Sequence, residues 1–372
     1  MTIPPPPWRS RRVGIILGLA VVLMALVVVL GLLPTSEYAI TPGQATLVPP
    51  LVSVSGASTS QHHSRIYLVD VYLQRLSVLS DLVDHLRGGA VQFVSENQLL
   101  SPGVPASQLD AQGYLQMADS QQAATVSALR ALGWRPRVSG DGAVVTAVAS
   151  SSPAATAGLG VGDLIRSLNH TPVSSGCALV RALAHVQPGE NLQLQIQPAS
   201  FSATGVLTRT AARSVSLRAT RAPAGLTSPC PGVGRLSAYL GVGIEDGVLV
   251  QSPVQVSVDT ANIGGPSAGL AMTLAIIDRL SKNPVAGSIP VAATGTISLN
   301  GQVGEVGGVA EKTVAVQRAG ATVFFVPVAE VSQATAVAGA SLRVIGVSTL
   351  TQVLGELRHL GAPSVQPLES PR

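Results

Sequence analysis

The stretch Asn262-Ile263-Gly264-Gly265-Pro266-Ser267-Ala268-Gly269-Leu270 sets a serine between a glycine-proline turn and an apolar run, and it fixes more about the fold than any other part of the chain. Gly264 and Gly265 admit backbone conformations closed to other residues, and Pro266 has its φ preset for a helix start. Leu270, Leu274 and Ile277 recur at helical spacing, which predicts a helix over Ala268 to Leu280. Ser267 then stands at a helix N-terminus, where backbone N–H groups lack intrahelical partners and point outward. Gly264, Gly265, Pro266 and Ala268 form the nucleophile loop, and the donors at this helix start can make an oxyanion hole.

A second glycine pair, Gly307-Gly308, opens another helical run through Val309-Ala310-Glu311-Lys312. Of 23 basic residues only Lys282 and Lys312 are lysines, which leaves 21 arginines. Arginine stays protonated, whereas a desolvated lysine can lose its proton, so a general base of this kind has to be lysine. Ser267 and Lys312 therefore make a candidate Ser-Lys dyad. At a reference pKa of ~10.4 about one lysine in 2,500 is neutral at pH 7, a handicap of roughly 4.6 kcal/mol. Burial has to close that gap, and Val309, Val314 and Val316 are the apolar neighbours to do it. Glu311 points about 100° away around the helix and reads as a surface residue. The implied reaction is attack of Ser267 Oγ on a peptide carbonyl, an acyl-enzyme, and hydrolysis by water activated by the same amine.

Gly265-Pro266-Ser267-Ala268-Gly269, Thr294-Gly295-Thr296-Ile297, Gly301-Gln302-Val303, Gly307-Gly308 and Glu311-Lys312, in this order, resemble the proteolytic domain of Lon-type serine proteases over roughly residues 236 to 350. The resemblance implies Ser267 as nucleophile and Lys312 as its base, with Thr294 the hydroxyl neighbour of the lysine amine. It also implies assembly into a hexameric ring. Lon proteases proper carry an ATPase module, but no Gly-x-x-x-x-Gly-Lys-Ser/Thr occurs here. The expected activity is therefore ATP-independent cleavage of unfolded, flexible or membrane-proximal polypeptides, with no cofactor.

Three other chemistries compete. A Ser-His-Asp arrangement would need one of six histidines, and none sits in a glycine-punctuated context. His62-His63 lacks carboxylate or thiol partners at ligand spacing, so no metal site is expected. A phosphate-binding enzyme also uses a glycine-rich loop before a helix, usually with several adjacent hydroxyl residues. The alternative from a different class is a non-catalytic PDZ adaptor with an inert Lon-like domain, against which the presence of both Ser267 and Lys312 argues.

The mean hydropathy of +0.42 is high for a soluble chain, and one segment supplies part of it. Val13 to Leu33 carries no charge and spans ~31 Å as a helix, a bilayer core. Arg9, Arg11 and Arg12 precede it and no basic residue follows until Arg65, which places the N-terminus in the cytoplasm and the bulk outside; the alternative is a cleaved signal peptide, whose apolar region is usually ~7 to 15 residues. Beyond those three arginines the chain holds 20 basic and 19 acidic groups, a balance that suggests no nucleic acid. Cys177 and Cys230 are the only cysteines. Paired, they would tie the middle of the chain to the start of the proteolytic segment; unpaired, they are two thiols, and sequence does not supply the distance that decides.

From about Arg135 the pattern turns to short strands with glycine punctuation. Ser152-Pro153-Ala154 followed by Leu159-Gly160-Val161-Gly162-Asp163-Leu164-Ile165 resembles a bacterial PDZ domain. That implies a peptide-tail partner added to a sheet edge. The layout ahead of it is similar to that of membrane-bound PDZ-plus-Lon proteases of Gram-positive bacteria. The expected architecture is α+β, with a single N-terminal transmembrane helix, a β-rich PDZ-like domain and a C-terminal Lon-type proteolytic domain. Its expected divisions are a cytoplasmic N-terminus 1–12, a transmembrane helix 13–33, a juxtamembrane connector and α/β segment 34–134, a PDZ-like domain 135–219, a linker 220–235, a Lon-type domain 236–360 and a disordered tail 361–372. The 34–134 segment reads as structural, without chemistry of its own.

Overall fold

The computed structural model describes residues 7–87, 91–228 and 230–368, and the side chains of all of these except residues 7–15 and 84–87. Residues 1–6 of the expected N-terminus, Pro229 of the expected linker and residues 369–372 of the expected tail lie outside the described residues. The apolar run forms most of helix α1 (Pro7–Leu32), whose side chains from Ile16 onward stand largely exposed, Met24 at 70 %. Among the described residues no helix is long and apolar enough to cross a membrane, so the fold does not establish the expected span over 13–33.

The segment expected as a connector and α/β unit supplies three strands to a six-stranded sheet. Residues 34–134 form β1 (Pro34–Leu47), β2 (Val52–Ser55), β3 (Ile66–Ser77), α2 (Val78–Arg87), β4 (Gln92–Ser95) and the long helix α3 (Leu109–Ala131). β1 pairs antiparallel with β3 and β4. Its prolines are tolerated because the register shifts between Pro42 and Ala45, and a bulge is where a strand can spare an N–H.

A second sheet holds β5 (Arg137–Val148), β6 (Leu164–Leu168), β7 (Asn191–Gln197), β8 (Arg213–Arg218) and β9 (Val242–Gln251), in the order β8-β7-β6-β5-β9. Leu192, Leu194 and Ile196 alternate into its core, and helix α4 (Gly176–Leu183) lies against it. Ser152 Oγ accepts the Ala155 N–H at 3.1 Å with Pro153 at the first helical position, the cap and proline in the order that the sequence predicts. β9 comes from the segment expected in the proteolytic domain, yet it pairs with β5 from Val242↔Val148 to Gln251↔Arg137. The expected boundary at residues 220–235 therefore does not divide the sheets. That stretch is also pinned, because Thr220–Arg221 pairs with Ala238–Tyr239 and Cys230 is bonded to Cys177 of α4, Cα to Cα 5.5 Å.

The chain then forms β10 (Gln255–Val258), which pairs with β2 in a separate two-stranded sheet, and α5 (Gly269–Leu280). There follow β11 (Val291–Ala293), α6 (Val309–Arg318), β12 (Val323–Pro327), β13 (Arg343–Val347) and α7 (Leu350–His359). The sheet order is β13-β12-β11-β3-β1-β4, with β3, β11, β12 and β13 parallel. Side-chain alternation divides its faces. Ile66, Leu68, Ala293 and Phe325 share a core with α5, whereas Val69, Ala292, Phe324 and Val326 share another with α6.

The expected disordered tail is docked as far as it is described. Lys282 N–H donates to Gln366 O at 2.7 Å, Ser281 Oγ to the same oxygen at 3.0 Å, and Leu368 N–H to Leu280 O at 2.9 Å. Ending the chain at Gly361 orphans these groups, and urea denaturation is expected to show a loss of about 2–3 kcal/mol. An unchanged midpoint would show that the strap contributes nothing.

Candidate active site

Helices that return between parallel strands begin at the ends where those strands finish. The first turns of α5 and α6 therefore lie at the carboxyl ends of β11 and β12, where open α/β sheets hold their ligands. The hydrogen bonds agree. Leu270 N–H of α5 donates to Gly295 O just past β11 at 3.1 Å, and Thr294 N–H donates to Phe325 O of β12 at 3.0 Å.

Ser267 sits in the turn before α5, one residue ahead of the N-cap Ala268, so the helix begins at Gly269 and not at Ala268 as the spacing predicts. Gly265 has φ +89°, a value that glycine takes without strain. The turn is hung from outside. Gly265 N–H donates to Gly113 O of α3 at 2.8 Å, and Ser120 Oγ of α3 donates to Pro266 O at 3.0 Å. The Ser267 carbonyl accepts Gly295 N–H at 2.9 Å and the hydroxyl of the fully buried Thr294 at 3.3 Å. Thr294 thus braces the serine backbone. Pro266 has no N–H and that of Gly265 is taken, which leaves Gly264, Ser267 and Ala268 as the unpaired loop donors among the described residues.

α6 starts at Gly308, φ +67°, and a Cβ there would stand 3.0 Å from Val71 Cγ1 and 3.1 Å from Ile40 Cγ2. That close approach lays the first turn of α6 on β1 and β3 and leaves Lys312 only 2 % exposed. Burial brings its amine down from 10.5 to about 8, against the pull of Glu330, Asp70 and Glu311, which favour the ammonium. Glu311 is itself buried, 4 % exposed, so the expectation of a surface residue is corrected. The first turn of α6 has the sheet on one side and the helix Val331–Val337 on another, so an offset of about 100° still meets protein.

Ser267, Gly264, Asn262, Asp259, Asp70 and Tyr72 line a cavity of about 580 Å³. Lys312 does not line it; Asp70 joins the two, lining the cavity and acting on the buried amine. Gly113, Ser120, Asp70 and Glu330 are parts of the site that sequence reasoning missed. One of them left a signal. A glycine inside α3 costs about 1 kcal/mol against alanine and marks a close approach, and a Cβ on Gly264 would meet Gly113 at 3.2 Å.

The matches to known proteins fall on these same elements. Residues 238–358 match the family described as Lon protease (S16) C-terminal proteolytic domain, and residues 130–198 match the PDZ domain family. Lon protease of Clostridioides difficile is 54 % identical over 63 residues, covering 17 % of this chain and 8 % of that protein. Lon protease 2 of Bacillus subtilis is 40 % identical over 95 residues, 26 % of this chain and 17 % of the relative. The PDZ domain of an SdrC-like protein from Listeria monocytogenes superposes with a TM-score of 0.22 at 16 % identity, covering 29 % of this chain and 92 % of that one. A Lon protease C-terminal proteolytic domain and a PDZ domain are present in the chain, and together they support a protease function. The chain spans under a fifth of either Lon relative's length.

The buried amine generates a stability prediction. Between pH 8 and 10.5 Lys312 is protonated in the unfolded chain and neutral in the folded one, so stability rises with pH across that window. The gain of Lys312→Met over the wild type is therefore expected to fall by about 3 kcal/mol from pH 7 to above pH 10.5. Denaturation at both ends of the window measures it. An equal gain at each pH would mean that the native site carries no charge penalty.

Proposed function

We propose that the protein is an ATP-independent serine endopeptidase in which Ser267 is the nucleophile and Lys312 the general base. The observation that carries this is the Lys312 amine, 2 % exposed with its pKa brought to about 8, at the sheet end from which the Ser267 turn is hung. At pH 7 about one such amine in ten is neutral, which cuts the handicap from roughly 4.6 to about 1.4 kcal/mol. Lys312 Nζ takes the Ser267 Oγ proton as the oxygen attacks the scissile carbonyl. The Gly264, Ser267 and Ala268 N–H groups are the donors for the oxyanion. The ammonium then protonates the leaving amine, and the neutral amine draws a proton from the water that hydrolyses the acyl-enzyme.

The proposed substrates are unfolded or membrane-proximal polypeptides outside the cytoplasmic membrane. α1 is the proposed membrane anchor of the protease, supported by the uncharged run Val13 to Leu33 behind three arginines and by the exposed apolar surface of the helix from Ile16 onward. ATP independence is supported by the lack of any phosphate-binding lysine motif in this sequence. A hexameric ring is carried over from the resemblance to Lon proteases. Peptide tails are proposed to add to β9, the end strand of the second sheet, where Gly176 N–H at the start of α4 donates to Asp246 Oδ1 at 2.8 Å.

Purified residues 34–372 are expected to cleave an unfolded, labelled protein without nucleotide, at a rate that ATP does not change. Ser267→Ala, Lys312→Ala and Lys312→Arg are each expected to lower the rate at least about 100-fold without unfolding the protein. An active Lys312→Arg enzyme would remove lysine as the base, and an active Ser267→Ala enzyme would remove the nucleophile.

A further inference from the structure

Glu330 is a buried carboxyl group for which the proposed reaction has no use. It ends the short turn Val328–Glu330 that follows β12 and is 6 % exposed. Its Oε1 accepts the Val306 N–H at 2.8 Å. Val306 lies two residues ahead of Gly308, whose positive φ starts α6, so this bond ties down the turn that delivers Lys312. Its Oε2 is buried and has no hydrogen-bond partner among the described residues. A buried carboxylate oxygen left unpaired is costly, and the cost is relieved by a cation or by a proton.

The cation is the Lys312 ammonium, which acts on Glu330 through space and not through a direct ion pair. Of the three carboxylates that act on Lys312, Glu330 acts most strongly, ahead of Asp70 on β3 and Glu311 on α6 itself. The effect is mutual. Burial pushes the Glu330 carboxyl up, while the Val306 N–H and Lys312 hold it down and Glu305 pushes it further up. The charged groups facing the pair are thus Asp70, Glu305 and Glu311.

We propose that Glu330 is a positioning residue for Lys312, fixing the turn before α6 through Val306 and offering its free oxygen to the lysine ammonium. The proposal rests on the reading of Lys312 as the base. Each acylation and each deacylation forms the ammonium inside a dry site, and Glu330 supplies its counter-charge there. The same charge holds the amine protonated to higher pH, so the residue sets the lower end of the working pH range.

The chain has two lysines, so Lys282→Arg leaves Lys312 as the only lysine signal in a protein carrying ¹³Cε-lysine. In that background Glu330→Gln keeps the side-chain volume and an acceptor for Val306 and removes the charge. The Lys312 titration midpoint is expected to fall by about one pH unit, and the acid limb of kcat/KM to move down with it. An unmoved midpoint overturns the proposal even if activity drops, because a mere brace does not alter the titration. A midpoint that falls while the acid limb stays in place leaves the hold of Glu330 on Lys312 standing and removes Lys312 as the base. If Glu330→Gln fails to fold, Glu330→Asp draws the charge back by one methylene. Its midpoint is then expected below the wild-type value, and an identical one overturns the proposal.

Discussion

A lysine amine that is to act as a base near neutral pH has to be kept from water, and that requirement governs how this end of the sheet is built. Desolvation is the largest influence on Lys312, and three carboxylates oppose it. The fold meets the requirement through Gly308, which lets the first turn of α6 come down on Val71 and Ile40. The serine has the opposite need, since substrate must reach it. Ser267 is accordingly half-buried, in a turn that opens on a cavity, while every residue of α5 but Arg279 is buried. The two helices lie on opposite faces of one sheet and share only the end where the parallel strands finish. That arrangement lets one residue be dry and the other accessible.

What was legible in the sequence was local. The turn around Ser267, the helix after it, the start of α6 and the Ser-Pro-Ala cap follow from glycine and proline positions and from helical spacing within about a dozen residues. What was not legible depended on remote partners. Residues 34–47 read as a connector because Pro34, Pro42 and Gly43 break the strand pattern, and only pairing with β3 and β4 makes a strand of them. Glu311 read as exposed because a helix alone does not tell what surrounds its other faces. The tail looked disordered because its contacts are backbone bonds to residues 280–282, which composition does not record.

The nucleophile turn shows the same dependence at finer scale. Its backbone is held by Gly113 and Ser120 from a helix about 150 residues earlier and by Thr294 and Gly295 from the end of β11. Each bond satisfies a group that the turn would otherwise leave open, so the loop is rigid through contacts that no motif around Ser267 encodes. Small residues at Gly113 and Gly264 let the two backbones meet, and Gly269 admits Ser120 Oγ and Ile297.

β9 joins the second sheet to the segment that leads into the nucleophile loop. Its ten residues complete the second sheet, and only residues 252–254 separate it from β10, after which Asp259 already lines the cavity of Ser267. The Cys177–Cys230 bond closes a 53-residue separation around the intervening stretch, worth about 4 kcal/mol in the chain-entropy view. No free linker remains between the sheets to absorb a change at β9. A peptide paired with its outer edge is therefore bonded to the same strand that leads into the nucleophile loop. On the proposed function, it would shift that loop only as far as it bound one arrangement of β9 better than another.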